Sequence, residues 1–132
     1  MKIFTECRTC KDQGNIGLAK AIYELQLLGY RISIPITENQ EYDLIGDKDN
    51  KLYRIQVKTT RCKSKYGVYC VNLRTLGGNR SFHTIKKHVA GNYELLYVLT
   101  EENDSYLIPD SEIMCVNRLA LSKNILQYKI KK

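Results

Sequence analysis

The sequence predicts an α/β domain in which one long helix packs against a sheet built from hairpins. Apolar residues cover most of the helical surface between positions 15 and 28, and Gly29 then ends the helix. The following segments carry alternating or continuous apolar residues separated by short polar turns, which is typical of strands. With 132 residues the chain is long enough to bury one core. We therefore expect a single domain over residues 1–132.

The predicted elements follow one another without repeats. Thr9 and Asp12 are spaced as a capping box at the start of the helix. Residues 74–92 mix basic residues with glycines, which predicts a loop with one helical turn. Residues 111–120 predict a short amphipathic helix, and residues 127–132 predict a mobile basic tail. The predicted strands are residues 30–36, 41–46, 51–60, 66–74, 93–100 and 104–110.

The charge of the chain favours a polyanionic partner. The 21 Lys and Arg residues outnumber the 14 Asp and Glu residues, which gives a net charge of +7 and a pI near 9.2. A field of this sign attracts nucleic acid in the first place. A merely basic soluble protein is the alternative that composition leaves open.

The sequence also indicates the compartment. It lacks the ~20 consecutive apolar residues of a membrane span and the apolar centre of a signal peptide. We therefore expect no membrane association and a cytoplasmic protein whose five cysteines stay reduced. Cys7 and Cys10 have the spacing of half a zinc site, but no recognisable second ligand pair accompanies them, so zinc is not expected.

Three polar side chains interrupt two strands whose other residues favour burial. Gln56 and Lys58 share one face of their strand because side chains alternate across it. Asp43 on the preceding strand joins that face if the turn between the strands has an even number of residues. A turn made of Lys48 and Asp49 would pair Asp43 with Arg54, and a turn made of Asp49 and Asn50 would place it opposite Gln56. An ordinary hairpin with a solvated face remains the alternative.

The chemistry of these residue types points to phosphodiester hydrolysis. Carboxylate and amide oxygens are hard ligands suited to Mg²⁺, and a neighbouring ammonium group can stabilise the charge of a phosphoryl transition state. Arg61, Lys63 and Lys65 follow directly and can hold a phosphate backbone. With Arg80, Lys86 and Lys87 they form the predicted DNA-facing surface, and His83 and His88 are interpreted as surface residues of a DNA-contacting loop.

The order of these motifs resembles the PD-(D/E)xK, or restriction-endonuclease-like, nucleases over roughly residues 11–110. The resemblance is closest to small group I intron homing endonucleases and more distant to archaeal Holliday-junction resolvases. "YD" at residues 42–43 matches the family's "PD", and "QVK" at residues 56–58 matches "(D/E)xK". The resemblance implies a restriction-endonuclease-like core over about residues 11–120, with a central mixed β-sheet flanked by α-helices.

The resemblance also implies roles for single residues. Asp43, Gln56 and the Val57 main-chain carbonyl would bind Mg²⁺ or Mn²⁺, and Lys58 would position or activate the attacking water. Asp43, Gln56 and Lys58 would then be the catalytic residues of an Mg²⁺-dependent endodeoxyribonuclease that cuts duplex or branched DNA. A homodimer or homotetramer is implied, because cutting two strands usually needs two copies of so small a domain.

One position departs from the family pattern. Relatives carry a glutamate on the first helix in a "GxxGE" context, and this chain has Leu18 there. Leu18 cannot bind a metal ion. A DNA-binding protein with a nuclease-like fold and weakened or absent catalysis is therefore the alternative function, and a protein-interaction domain that is basic by lineage is a third.

Overall fold

A five-stranded mixed sheet and one helix carry the candidate site. The computed structural model describes residues 1–73 and 88–132, and between them the main chain of two strands. The described part contains a single α-helix, α1 (Cys10–Leu27). Its strands are β1 (Arg31–Ser33), β2 (Leu44–Lys48), β3 (Lys51–Thr60), β4 (Cys70–Asn72), β5 (Thr75–Asn79), β6 (Phe82–Lys86), β7 (Leu95–Thr100), β8 (Ser105–Pro109) and β9 (Arg118–Ala120).

The strand order of the main sheet is β1-β2-β3-β7-β8. β3 and β7 are parallel, and every other neighbouring pair in this sheet is antiparallel. All six residues of β7 are buried, because both faces of this strand are covered. The remaining strands form two ladders of two, β4 with β9 and β5 with β6.

The side chains of β7 alternate between two apolar clusters. Tyr97 and Leu99 join the cluster on the α1 side of the sheet, which also contains Ile55 of β3. Leu96 and Val98 join the cluster on the opposite side, with residues of β4, β8 and β9. β3 therefore directs its odd-numbered residues to α1 and its even-numbered residues to the opposite side.

The sequence signals at both ends of α1 are confirmed. The Thr9 hydroxyl accepts a hydrogen bond from the Asp12 main-chain N–H, and the Asp12 carboxylate accepts one from the Thr9 N–H. This reciprocal pair is the capping box that starts the helix. Gly29 follows the C-cap with φ +94°, a left-handed conformation that glycine adopts without a Cβ penalty.

Gly17 allows α1 to approach β3 closely. An added Cβ at Gly17 would stand 2.3 Å from Thr59 Cγ2, whereas one at Gly14 would meet nothing within 4 Å. We expect Gly17→Ala to lower the free energy of unfolding by about 1–3 kcal/mol, because the helix must shift. The matched change Gly14→Ala should raise it by up to about 1 kcal/mol through helix propensity. Urea unfolding of both variants tests this pair, and equal effects would contradict it.

Three predicted elements were wrong. The region predicted as a loop contains the antiparallel strands β5 and β6, and its paired glycines hide the alternation that would have indicated strands. Residues 111–120 form no α-helix: a 3₁₀ turn at Asp110–Glu112 is followed by β9, and Met114 is 91% exposed. Apolar spacing there resembled a helical face, but pairing with β4 determines the structure.

The basic tail, the third of these elements, is not free. The Ile130 N–H donates to the Ser105 carbonyl at 2.8 Å, and Lys129 forms a β-bridge with Tyr106 of β8. A 3₁₀ turn at Leu126–Tyr128 precedes this contact. The described residues contain no helix that is both long and apolar enough to cross a membrane.

Candidate functional site

The turn between β2 and β3 has the even length that the site requires. Lys48 pairs with Lys51, so the turn consists of Asp49 and Asn50, which have φ of +52° and +64°. These left-handed conformations are those of a two-residue hairpin turn, and Asn and Asp tolerate them better than most residues. Leu44 pairs with Ile55, which places Asp43 opposite Gln56. Of the two registers that the sequence left open, the structure has the one that places Asp43 opposite Gln56.

Asp43 is fixed where β2 begins. Its N–H donates to the Ile55 carbonyl at 2.9 Å, and its carboxylate Oδ2 accepts the Val57 N–H at 2.9 Å. The side chain thus continues the hydrogen-bond ladder beyond the first residue of β2. Within a strand, the N–H and C=O of one residue point to the same neighbour. The Val57 carbonyl therefore lies on the edge of β3 that Asp43 occupies.

Gln56 and Lys58 line a small cavity on the side of the sheet opposite α1. Its volume is about 20 Å³, and a water molecule needs roughly 10–15 Å³ measured in this way. The cavity is therefore large enough for about one water, and its wall is mostly polar. The other lining residues are Glu41, Leu73, His88, Asn92 and Tyr93.

The charges of the site are coupled. Burial lowers the pKa of the Lys58 ammonium, and the charges of Asp43 and Glu41 partly restore it. Burial also raises the pKa of the Asp43 carboxyl, against the Val57 hydrogen bond and the Lys58 charge. Asp43 as a residue is exposed, but neighbouring atoms crowd its carboxyl group. A poorly solvated carboxylate beside an ammonium group is an arrangement found at functional sites.

A basic hairpin, residues 61–70, projects beyond the end of β3. Its ends are joined by the Cys70 N–H donating to the Cys62 carbonyl at 2.9 Å. Lys63 lies 4.8 Å from the ring centre of Tyr69 and Lys65 lies 5.1 Å from that of Tyr66. All three predicted DNA-contacting residues of this hairpin are exposed, namely Arg61, Lys63 and Lys65.

The other predicted DNA-contacting side chains lie outside the described residues. Arg80 and Lys87 lie outside the described residues, and so does the side chain of Lys86. The same holds for the side chain of His83. The surface interpretation of His88 was wrong, because its side chain is 4% exposed.

Comparison with known proteins decides the family. The profile of the PD-(D/E)XK endonuclease family matches residues 8–123 of the chain. The chain belongs to this family. Its fold is similar to that of a bacterial homing endonuclease, with a TM-score of 0.77, 23% identity, and coverage of 92% of this chain and 88% of that chain. None of the curated proteins compared with it matches its sequence significantly.

The PD-(D/E)XK assignment confirms the resemblance and the fold class inferred from the sequence. The mixed central sheet is present as expected, although a single α-helix rather than several flanks it in the described part. Membership of this family places the chain among endonucleases by descent.

The residues present fit a weakly held divalent cation. The Asp43 carboxylate, the Gln56 amide oxygen and the Val57 carbonyl are hard oxygen donors on neighbouring positions of the β2–β3 pairing, and Mg²⁺ favours such donors while retaining several waters. The described residues contain no group of three or more His, Cys, Asp and Glu side chains able to hold a metal. With Gln56 neutral, we expect the endonuclease to bind the ion less tightly than a site with several carboxylates.

The helix position that carries glutamate in relatives supplies no ligand here. Leu18 is partly buried and packs against the apolar cluster on the α1 side. Glu24, which follows Leu18 on the same helix, is buried in the core. The Tyr97 and Ser105 hydroxyls donate to it at 2.5 and 2.9 Å, and Lys132 lies 3.9 Å away. Glu24 therefore has a structural partner set and does not replace the missing glutamate.

The sequence did not point to three residues near the site, and a fourth, His88, was misinterpreted as a surface residue. Glu41 lines the cavity and faces the Lys58 charge, and its position two residues before Asp43 is the signal that could have found it. Arg118 lines a groove of about 290 Å³ with Arg61, which only the β4–β9 pairing reveals. His88 and Tyr93 lie far along the chain from "QVK", and no local pattern marks them.

Two further residues of the endonuclease have structural roles. The Arg54 guanidinium forms a two-pronged pair with the Glu94 carboxylate, with Nε at 3.1 and 3.0 Å from its two oxygens. Arg54 also donates to the Gly91 carbonyl at 2.7 Å. This link holds the segment before β7 against β3, and so positions Tyr93 beside the cavity.

The five cysteines are unpaired thiols.

Proposed function

We propose that the chain is a metal-dependent DNA endonuclease whose catalytic residues are Asp43, Gln56 and Lys58. The observation that carries the proposal is the Asp43 carboxylate, fixed by the Val57 N–H beside the partly buried Lys58 ammonium. Phosphodiester hydrolysis needs an anionic ligand for a cation, an oriented water and a positive charge near the reacting phosphate. This strand edge supplies groups suited to each task.

Each residue has a distinct task in this proposal. Asp43 and Gln56, with the Val57 carbonyl, hold Mg²⁺ or Mn²⁺, which when bound supplies Lewis-acid stabilisation of the scissile phosphate. Lys58 holds the attacking water through its ammonium group or accepts its proton when neutral, and the lowered pKa makes the neutral form easier to reach. The strand fixes Gln56 and Lys58 two residues apart, so their geometry is set before DNA binds.

The proposed substrate is duplex or branched DNA held by the basic hairpin. Its exposed cations contact backbone phosphates, which orients the DNA without reading its sequence. We also propose a homodimer or homotetramer, since one small site cuts one strand at a time. The assay is incubation of plasmid and a synthetic four-way junction with wild-type protein and Mg²⁺, Mn²⁺ or chelator. Cleavage of neither DNA with either ion would overturn the proposal.

Leu18 supports a second candidate, a DNA-binding protein with the endonuclease fold and little or no catalysis. This candidate predicts salt-sensitive binding of the same DNA without metal-dependent turnover. Gel-shift and cleavage measurements on one protein preparation distinguish the two candidates. Binding without cleavage supports the second, and binding with metal-dependent cleavage supports the first.

Removing the cations of the basic hairpin is expected to weaken DNA binding. The triple variant Arg61→Ala, Lys63→Ala and Lys65→Ala should reduce the slope of log affinity against log salt by about 0.9 for each DNA phosphate that these cations neutralise in the wild type. A Lys123→Ala variant, which removes an exposed cation outside the hairpin, serves as the control. Fluorescence anisotropy at several salt concentrations measures both slopes. Equal slopes in wild type and the triple variant would contradict the assignment.

A further inference from the structure

A buried chain of three polar side chains ends at the wall of the cavity that Gln56 and Lys58 line. The Tyr93 hydroxyl lies 3.1 Å from His88 Nδ1, and His88 Nε2 lies 3.0 Å from Asp110 Oδ1. The His88 and Asp110 side chains are 4% and 12% exposed. The other carboxylate oxygen of Asp110 accepts the Gly91 N–H at 2.8 Å. His88 and Tyr93 both line the cavity, and Asp110, which does not, contacts the other ring nitrogen of His88.

The Asp110 carboxylate sets the direction of the hydrogen bond between Tyr93 and His88. A negative charge 3.0 Å from Nε2 favours the tautomer with its proton on that nitrogen. The His88 ring N–H is not aligned with Asp110 Oδ1. Neither His88 Nε2 nor Asp110 Oδ1 therefore has a hydrogen-bond partner among the described residues. The Asp110 carboxylate therefore attracts the His88 Nε2–H group through its charge, without a hydrogen bond. Nδ1 is then an acceptor, and the Tyr93 hydroxyl must donate to it.

Because the Tyr93 hydroxyl donates its one hydrogen to His88, only the lone pairs of its oxygen remain for other hydrogen bonds. Burial, followed by the charges of Asp110, Cys115 and Glu41, raises the pKa of this hydroxyl, so it keeps its proton. Tyr93 therefore offers the cavity an acceptor of hydrogen bonds. The cavity is large enough for about one water, and Lys58 lines it as well. A water there can donate one hydrogen to Tyr93 while its oxygen faces Lys58.

We propose that Tyr93, oriented by His88 and Asp110, is a positioning residue that holds the hydrolytic water against Lys58. The inference rests on the proposed endonuclease function and adds residues that come from outside the "QVK" strand. Tyr93 accepts a hydrogen bond and exchanges no proton in this arrangement. A purely structural role explains why the three side chains are buried together, but it does not require Tyr93 to present an acceptor beside Lys58.

The direction of the hydrogen bonds can be measured without any activity. Nitrogen-15 NMR of the wild-type protein at about pH 8, where imidazoles are ordinarily neutral, reports the tautomer of each histidine ring. The chain has two histidines, so a His83→Asn variant assigns the His88 signals. We expect a proton on Nε2 and a hydrogen-bonded, unprotonated Nδ1. A proton on Nδ1 would overturn the inference, because Tyr93 would then have to accept from His88.

Kinetics test the consequence for the reaction. Tyr93→Phe keeps the ring and removes the acceptor, so kcat for DNA cleavage should fall about tenfold with KM for DNA unchanged. Tyr106→Phe, which removes a hydroxyl from the same apolar cluster, is the control and should keep the wild-type kcat. Wild-type kcat in Tyr93→Phe, from a wild-type enzyme that cleaves DNA, would overturn this inference alone. Absence of cleavage by the wild type would overturn the proposed function as well.

Discussion

Replacing Lys58 by methionine is expected to reduce the rate of DNA cleavage by about two to four orders of magnitude, the usual contribution of a group that activates or orients the nucleophile. Methionine has a similar length and fills the same half-buried position, so packing on that side of the sheet is preserved. The measurement is single-turnover cleavage of plasmid DNA at saturating enzyme. DNA affinity, measured by anisotropy, should change far less than the rate.

Lys51→Met is the matched control for this prediction. Lys51 stands at the opposite end of the same strand and is exposed. Its replacement removes one positive charge from β3 without touching the cavity, and we expect cleavage within a small factor of wild type. Equal losses in the two variants would show that Lys58 acts through net charge alone, which contradicts a specific role.

Asp43→Asn should abolish binding of the divalent cation and cleavage while preserving the fold. The asparagine side-chain oxygen can still accept the Val57 N–H, so the ladder at the start of β2 survives. The pKa of the Asp43 carboxyl is higher in the folded protein than in the unfolded chain, mainly because the group is buried. The ionised form of this residue therefore costs stability at every pH above that raised pKa, and the cost disappears only as pH falls below the unfolded value.

Two measurements check the Asp43 prediction. Calorimetric titration with Mn²⁺ should show binding to the wild type and none to Asp43→Asn. Urea unfolding at neutral pH should give the variant a free energy of unfolding equal to or above that of the wild type. Normal Mn²⁺ binding by the variant would refute Asp43 as a ligand. A large loss of stability would show instead that Asp43 has a structural role.

Much of the fold could be predicted where local chemistry and long-range packing agree. α1 carries its own capping box, and the β2–β3 hairpin carries the Asp49–Asn50 turn, so both are indicated by neighbouring residues. β3 matches its predicted bounds at Lys51 and Thr60. Segments that depend on distant partners were misread. β9 is a strand because Leu119 pairs with Val71, which its own sequence does not indicate.

The candidate site also contains residues that local sequence rules can place and residues that they cannot. Gln56 and Lys58 lie on one strand, and alternation alone places them on one face. Asp43 required only the parity of one turn. His88 and Tyr93 reach the cavity because the Arg54–Glu94 pair anchors the segment before β7 against β3. Such a contact spans 40 residues of sequence, and no spacing rule applies over that distance.

Cleavage of supercoiled plasmid decides whether Asp43 and Lys58 form a metal-dependent catalytic site. Wild type, Asp43→Asn and Lys58→Met are incubated with the plasmid in Mg²⁺, in Mn²⁺ and in chelator, and nicked and linear products are measured over time. We expect products from the wild type only when a divalent ion is present, none from Asp43→Asn above a mock preparation, and cleavage by Lys58→Met that is at least about a hundredfold slower than that of the wild type. Equal cleavage by the three proteins, or cleavage by the wild type in chelator, would contradict this expectation.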